Sequence, residues 1–518
     1  MKKIILSSLV AMATLTSCSD FLDEKYYGKV FPDTYPASVD NLESMVTALY
    51  GKANQMYYNV GVRVACFGGD DVTTLAGGNK VRFLEFDNFS AQDNNTEISS
   101  VWSAYYELIK QSNDLIISTP DVTDAKVNGE ALTNFKNRTL GQAHFMRALA
   151  YFNLVRTFGQ VPLVTTLDID YNAPKAEFND IYTLIVEDLK QAETLLPDVY
   201  GSAPNQTSLE TSTAYARVTS GAAKSLLASV YLNMAGYPLK DNSYYAKAAS
   251  KAQEVIEKET LYDYELLDIN ELWKYENGWK ETANTEGVFT CFYNTRSSWT
   301  GNGSNGNTIA MGLMPSEMSG WDDAFAELNF YNEFPEGPRK EATFLTEVYT
   351  NNGADVKHWA DFNSKHPHYK KYLEMEGTDW NNMDKYIDWW SSRTIPVIRY
   401  AEVLLVYAEA QAMADGTPNT LAYKCLNRIR ERAGLADAPA GMGGNDFAKA
   451  VIDERKWEFA GMEPCARWFD MIRTETVATV TEKRDATETP LVNRPNDTTH
   501  EHYFAPIPQH DTQLNPEL

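Results

Sequence analysis

Gln142-Ala-His-Phe-Met-Arg147-Ala-Leu-Ala-Tyr151-Phe-Asn-Leu-Val-Arg156-Thr-Phe158-Gly159 is the stretch from which the fold is read. Phe145, Leu149, Phe152 and Val155 recur at intervals of three and four, the spacing of one face of an α-helix. Gly159 supplies a stop, because a left-handed turn after the last helical residue costs glycine little.

The same period extends to both sides. Residues 39–58 place Leu42, Met45, Val46, Leu49 and Tyr50 together, and residues 101–118 do so with Trp102, Tyr105, Tyr106, Ile109 and Leu115. Residues 180–196 read as a helix ending at Pro197, and 214–235 and 243–258 as alanine-rich helices. After residue 395 the pattern resumes over 399–414, 420–433, 446–460 and 466–473. Small side chains let helices approach closely. The expectation is therefore an all-α fold, a tetratricopeptide-like helical-repeat scaffold of antiparallel pairs.

Two regions break the period. Residues 66–100 are rich in Gly, Asp and Asn, with Phe83, Phe86 and Phe89 interleaved, and read as a long loop with short extended pieces. Residues 260–395 hold eight of the 11 tryptophans yet few helix signals, with one strand expected over 288–293. A loop-rich segment this aromatic is where a ligand is expected. An indole stacks on the apolar face of a pyranose, and amides and carboxylates read the hydroxyls. Trp299, beside the Gly/Asn/Ser run 301–306, is the first candidate. Tyr293, Trp279, Trp321 and Trp359 follow, while more than half of the tryptophans are expected to pack under loops.

The formal charge of -25 excludes nucleic acid as a partner, since phosphates need a basic footprint, and excludes broad adsorption to anionic headgroups. Lys2 and Lys3 precede a short apolar run over 4–15, and Leu15-Thr16-Ser17-Cys18 resembles a bacterial lipobox. That resemblance implies a signal peptide over 1–17 and a lipidated Cys18 opening a tether over 18–38. Several acyl chains would hold it firmly on the outer membrane. The acidic run Ser19 to Glu24 resembles the surface-export signal of Bacteroidetes lipoproteins. A single domain is expected over 39–518, with scaffold at about 39–259 and 396–518 and a ligand-binding insertion at about 260–395. Cys66, Cys291, Cys425 and Cys465 show no CxxC spacing and are expected to be small buried thiols.

Signals for chemistry are weak. His366-x-His368 and His500-x-His502 supply two ligands each, too few for a metal site, and His144 reads as a satisfied interior histidine. Glu402 and Glu409 share a helix face, but Arg399 nearby argues for internal ion pairing over glycoside hydrolysis. Asp70-Asp71 and Asp322-Asp323 leave structural Ca2+ open without an EF-hand loop. GxSxG, Walker A and GxGxxG motifs are absent from the sequence. No catalytic residue, metal ligand or cofactor is assigned.

Several blocks resemble the SusD/RagB family of nutrient-binding lipoproteins. They are Trp102 to Asn113, Ala143 to Leu163, Arg217 to Leu232, Arg399 to Ala410 with Asn427 to Leu435, Glu454 to Arg473, and Tyr503 to Pro508. The resemblance runs through essentially the whole chain. It implies a non-enzymatic surface protein that sits as a lid on a SusC-like TonB-dependent transporter barrel and delivers oligosaccharides or, in some branches, peptides. It also implies that the loop before Trp102 helps form the sugar site, which brings in Asn79, Arg82, Phe89, Asn94 and Asn95. Arg82 either forks two hydrogen bonds to a ligand or pairs with Glu85 or Asp87. A surface glycoside hydrolase would instead show two flanking carboxyls, and a protein-only adaptor an unbroken groove.

Overall fold

Side-chain caps set where the scaffold helices begin. Ser38 opens α1 (Val39–Gln55), accepting from the Asn41 amide, and Asn95 opens α3 (Thr96–Ser118), accepting from the Glu97 amide. Thr219 caps α6 (Ser220–Ala235) and Asn419 caps α9 (Thr420–Arg432). The chain is described by a computed structural model that covers residues 36–518 apart from 169, 274–284, 294–306, 352, 374–390 and 392. The signal peptide, Cys18 and most of the tether lie outside the described residues.

The remaining long helices are α4 (Gly129–Phe158), α5 (Phe178–Leu195), α7 (Ser243–Ile256), α8 (Tyr400–Asp415), α10 (Gly444–Glu458) and α11 (Ala466–Arg473). Each packs on the next in the order α3, α4, α5, α6, α7, with α1 against α3 and α4. Helix α8 then packs on α7, although 143 residues separate their facing ends, and α9 and α10 pack on α8. The helical stack is therefore continuous in space and interrupted in sequence. The mainly helical, repeat-like architecture is the one the periodicity predicts.

Polar residues of the scaffold blocks tie neighbouring helices. Arg147 on α4 donates to both carboxylate oxygens of Asp188 on α5, at 2.8 and 2.7 Å, and to Asn113 Oδ1 on α3 at 2.9 Å. His144 Nδ1 lies 2.6 Å from the same Asp188, the satisfied histidine expected. Glu402 and Glu409 are structural as expected, but their partners are not Arg399. Glu409 pairs with Arg473, and Glu402 accepts from Ser229 Oγ at 3.1 Å and faces Arg455.

Three expectations need correction. The 66–100 segment has the short extended piece expected, at Val72–Thr73, but is not otherwise a long loop, since it holds a 3-10 turn at Gly78–Lys80 and a helix, α2 (Val81–Asp87). Helix α4 starts at Gly129, well before the apolar stripe, because the polar run after it still presents Phe135 to the core. Cys66 and Cys465 are not free thiols, because their Cα atoms are 4.8 Å apart and a disulfide joins them. Cys291 and Cys425 are free and buried.

The insertion leaves after α7 and returns through an antiparallel pair, Gly287–Cys291 with Ile395–Arg399. The other sheets among the described residues are two-stranded as well. At the base of the insertion, Arg399 donates to Glu463 at 2.7 Å, Glu286 at 2.6 Å and Glu458 at 2.8 Å. Arg432 and Arg339 also reach Glu458, and Lys371 pairs with Glu463. Burial opposes ionisation of Glu458, yet these four cations hold its carboxyl far below the usual range.

Candidate ligand-binding face

The loop before Trp102 and the insertion meet at one place. Gly77 and Gly78 turn the chain with φ of +119° and +58°, a short 3-10 turn follows at Gly78–Lys80, and α2 begins at Val81. This aims Lys80 inward, where its ammonium donates to the Trp321 carbonyl and pairs with Asp323. Arg82 lies two residues on, its Nε 2.7 Å from Glu97 Oε1 and its guanidinium 4.7 Å over the Phe83 ring. Its side chain keeps 41% of its exposure and Glu97 keeps 16%. Neither Glu85 nor Asp87, the expected partners, holds Arg82.

Asn95 fixes the spacing. Its amide donates to the Arg82 carbonyl at 2.9 Å and to Glu85 Oε2 at 2.6 Å, so the cap of α3 also clamps α2. Glu97 is seated over Gly61, where a Cβ would come within 2.0 Å of its carboxylate, so only glycine allows the approach. On the insertion side, the Trp321 amide donates to Met311 O at 2.8 Å and the Asp323 amide to Gly312 O at 2.8 Å. Burial lifts both Glu97 and Asp323 above the usual carboxylate range, against the pull of Arg82 and Lys80.

Lys80 thus ties the turn that carries exposed Asn79, and the helix that carries Arg82, to the backbone of Trp321. Trp321 is half-buried against the Met311, Met314 and Met318 cluster, and so is Trp359, whose ring also meets Tyr331 edge-on at 5.8 Å. Asn94 is exposed next to the cap. Tyr293 is a correction: it is 3% exposed, and its hydroxyl donates to Asn54 O at 2.7 Å, so it is a core residue and offers no free ring. Trp299 and Trp279 lie outside the described residues. Lys80 and Glu97 are not marked by the sequence, because nothing local identifies a lysine or a first-turn glutamate as half of an ion pair between separate elements.

Phe89 ends elsewhere than on this pair of cations. Its ring sits 6.3 Å from both Trp468 and His502 and lines two adjoining cavities, of about 320 and 210 Å³. The other candidate ligands are committed to internal partners. Asp70 pairs with Arg467, Asp71 accepts from the Gly461 amide, and Asp322 accepts from the Ser316 amide. His366 faces Glu488, His368 bonds Leu313 O, and His500 faces Glu475. Among the described residues no cluster of three His, Cys, Asp or Glu side chains is placed to hold a metal ion.

Comparison with known proteins places this geometry. The sequence profile described as "SusD family" matches residues 226–518, more than half of the chain. The chain belongs to the SusD family. A second profile, "Starch-binding associating with outer membrane", matches residues 20–232. The chain is 27% identical to SusD-like protein P2 of Formosa agariphila, with 91% of each chain covered. Its fold is similar to that of a SusD homolog from Bacteroides thetaiotaomicron, with a TM-score of 0.75 at 23% identity, covering 93% of this chain and 97% of that one. It is also similar to surface glycan-binding protein A from Bacteroides uniformis, with a TM-score of 0.72 at 21% identity, covering 92% and 98%. No helix among the described residues of this SusD-family chain is long and apolar enough to cross a membrane.

Proposed function

We propose that this SusD-family protein captures a glycan at the outer surface of the cell, cleaves nothing, and passes it to a SusC-like TonB-dependent barrel. One observation carries the reading. A half-exposed guanidinium and exposed amides stand where the turn at Lys80 is tied to the backbone of Trp321, whose indole is half-buried, and guanidinium, amide and indole are the groups that recognise a pyranose. The names of the relatives, a surface glycan-binding protein and a starch-binding profile, point the same way. The lipid on Cys18 supplies the anchor, and Trp299 adds a stacking platform from the insertion.

Hydrolysis is the rival with a specific observation behind it, because Glu97 and Asp323 are two neighbouring carboxyls with raised affinity for protons. Each, however, is held by its own cation, and a general acid needs its proton free to move. Calorimetry against a panel of neutral glycans and peptides, run beside a reducing-end assay, tests the proposal. Binding of a glycan without release of reducing ends is expected, weakened in Trp299→Ala. Turnover, or binding of peptides alone, overturns it. Retention of a TonB-dependent barrel by the tagged chain in solubilised outer membranes, and fatty-acid labelling lost in Cys18→Ala, test the partner and the anchor.

A further inference from the structure

We propose that the binding track does not end at Arg82 but continues along α2 into the aromatic cavity beyond it, which seats a further pyranose of the same oligosaccharide. The inference rests on the glycan-binding reading and extends it to the length of ligand that the site measures.

Continuity comes from the helix. Arg82, Glu85 and Phe86 are three and four residues apart and share one face of α2. Glu85 and Phe86 line the cavity of about 210 Å³, while Arg82 holds Glu97 one turn earlier. Asn95 bonds to the Arg82 carbonyl and to the Glu85 carboxylate, so the surface between the two sites is one rigid strip.

The cavity has the chemistry of a sugar subsite. Phe86, Phe89 and Trp468 supply buried aromatic surface, and exposed His502 stands at the rim with Glu85. Its volume lies below the roughly 300 Å³ at which pockets for larger ligands begin, which suits a single ring.

Phe89 gives the independent observation. It follows the end of α2 with φ +59°, where the Ser90 amide closes back on Glu85 O at 2.7 Å. Glycine is the natural occupant of that position, and a side chain there costs about 1 kcal/mol. A phenylalanine held in this conformation, with its ring between Trp468 and His502, is strain located at a cavity wall.

The test uses the full chain and malto-oligosaccharides and β-1,3-gluco-oligosaccharides from disaccharide to heptasaccharide, measured by calorimetry. Phe89→Gly suits the backbone, but the buried ring it removes was packed in the core, so the variant is expected to fold with lower stability, checked by its melting curve before binding is measured. It is expected to bind the disaccharide as the parent does and the longer chains roughly three- to tenfold more weakly, the scale of one lost aromatic contact. His502→Ala, at an exposed position, should give a smaller loss with the same length dependence. Equal loss for short and long chains, or no loss in either variant, overturns the second subsite while glycan binding stands. A parent protein that binds no chain in either series overturns both.

Discussion

The molecule contains two systems of ion pairs, and they are built differently. At the base of the insertion, Arg399, Glu286, Glu458 and Glu463 are each 2% exposed or less, and Arg399 serves three carboxylates at once. At the candidate ligand-binding face, Arg82 pairs with Glu97 and keeps 41% of its side-chain exposure. The first arrangement cannot exchange partners, because every oxygen is enclosed. The second can, because water already competes for the guanidinium. Buried networks hold the insertion to the scaffold, and the rim pair remains open to solvent.

The comparison breaks most sharply at Arg399. Replacing it by methionine would take one cation each from Glu286, Glu458 and Glu463 in a dry site, leaving Arg432 on Glu286 and Lys371 on Glu463. Removing one member of a buried set costs about 3–5 kcal/mol. Urea unfolding of Arg399→Met should show a loss of this size. A variant as stable as the parent would mean that the network is wetter than its burial implies.

The disulfide comes next. Cys66 and Cys465 are 399 residues apart in sequence, so the bond fastens the segment before the ligand-binding loop to the turn before α11. The double variant Cys66→Ala/Cys465→Ala should lose roughly 2–4 kcal/mol, and reductant should lower the melting temperature of the parent but not of the variant.

This bond also marks the limit of what the sequence makes legible. Four thiols without close spacing allow no pairing to be chosen, and only the fold brings two of them to 4.8 Å. The scaffold helices were legible because Ala and aromatic residues recur at helical period, and Gly159 stops α4 with φ +75° as read. Helix α2 was not, since two turns between a Gly-Gly turn and Phe89 leave too few residues for a period to show. Arg82 and Trp321 were recognisable as residue types, but the lysine bonded to the Trp321 backbone acts across 241 residues and the glutamate that pairs with Arg82 belongs to the next helix. Tyr293 shows the converse failure. An aromatic next to an expected ligand region was read as a platform, whereas its hydroxyl satisfies a backbone carbonyl inside the core.

A smaller effect sits between the two systems at Asp71. It is buried like the network, yet its carboxylate accepts a hydrogen bond from a backbone amide, that of Gly461. Burial, with the neighbouring charge of Asp70, pushes its carboxyl up to about 6. A folded-state value above the unfolded one means that the folded state holds the proton more tightly. Stability from this group is therefore greatest below about pH 4 and declines as pH rises to about 6. Asp71→Asn removes the penalty. It should raise stability by about 1–2 kcal/mol at pH 7, and the gain should vanish on acidification below pH 4 in parallel unfolding curves.

The smallest change in stability should accompany the clearest change in function. An ion pair as open as Arg82 with Glu97 contributes about 0–1 kcal/mol, so Arg82→Ala should unfold within about 0.5 kcal/mol of the parent. A charged hydrogen bond to a ligand is worth about 1.5–3 kcal/mol, so the same variant should bind its glycan at least tenfold more weakly. Glu97→Gln separates the roles within the pair. If Arg82 turns from Glu97 to the ligand, freeing it early should leave binding unchanged or tighter, because the cost of parting the pair is gone. If Glu97 itself accepts from a sugar hydroxyl while Arg82 only steadies it, Glu97→Gln should weaken binding as much as Arg82→Ala does. Equal losses in the two variants would mean that Arg82 steadies its carboxylate as Arg399 steadies its own, and the distinction between the two systems would not hold.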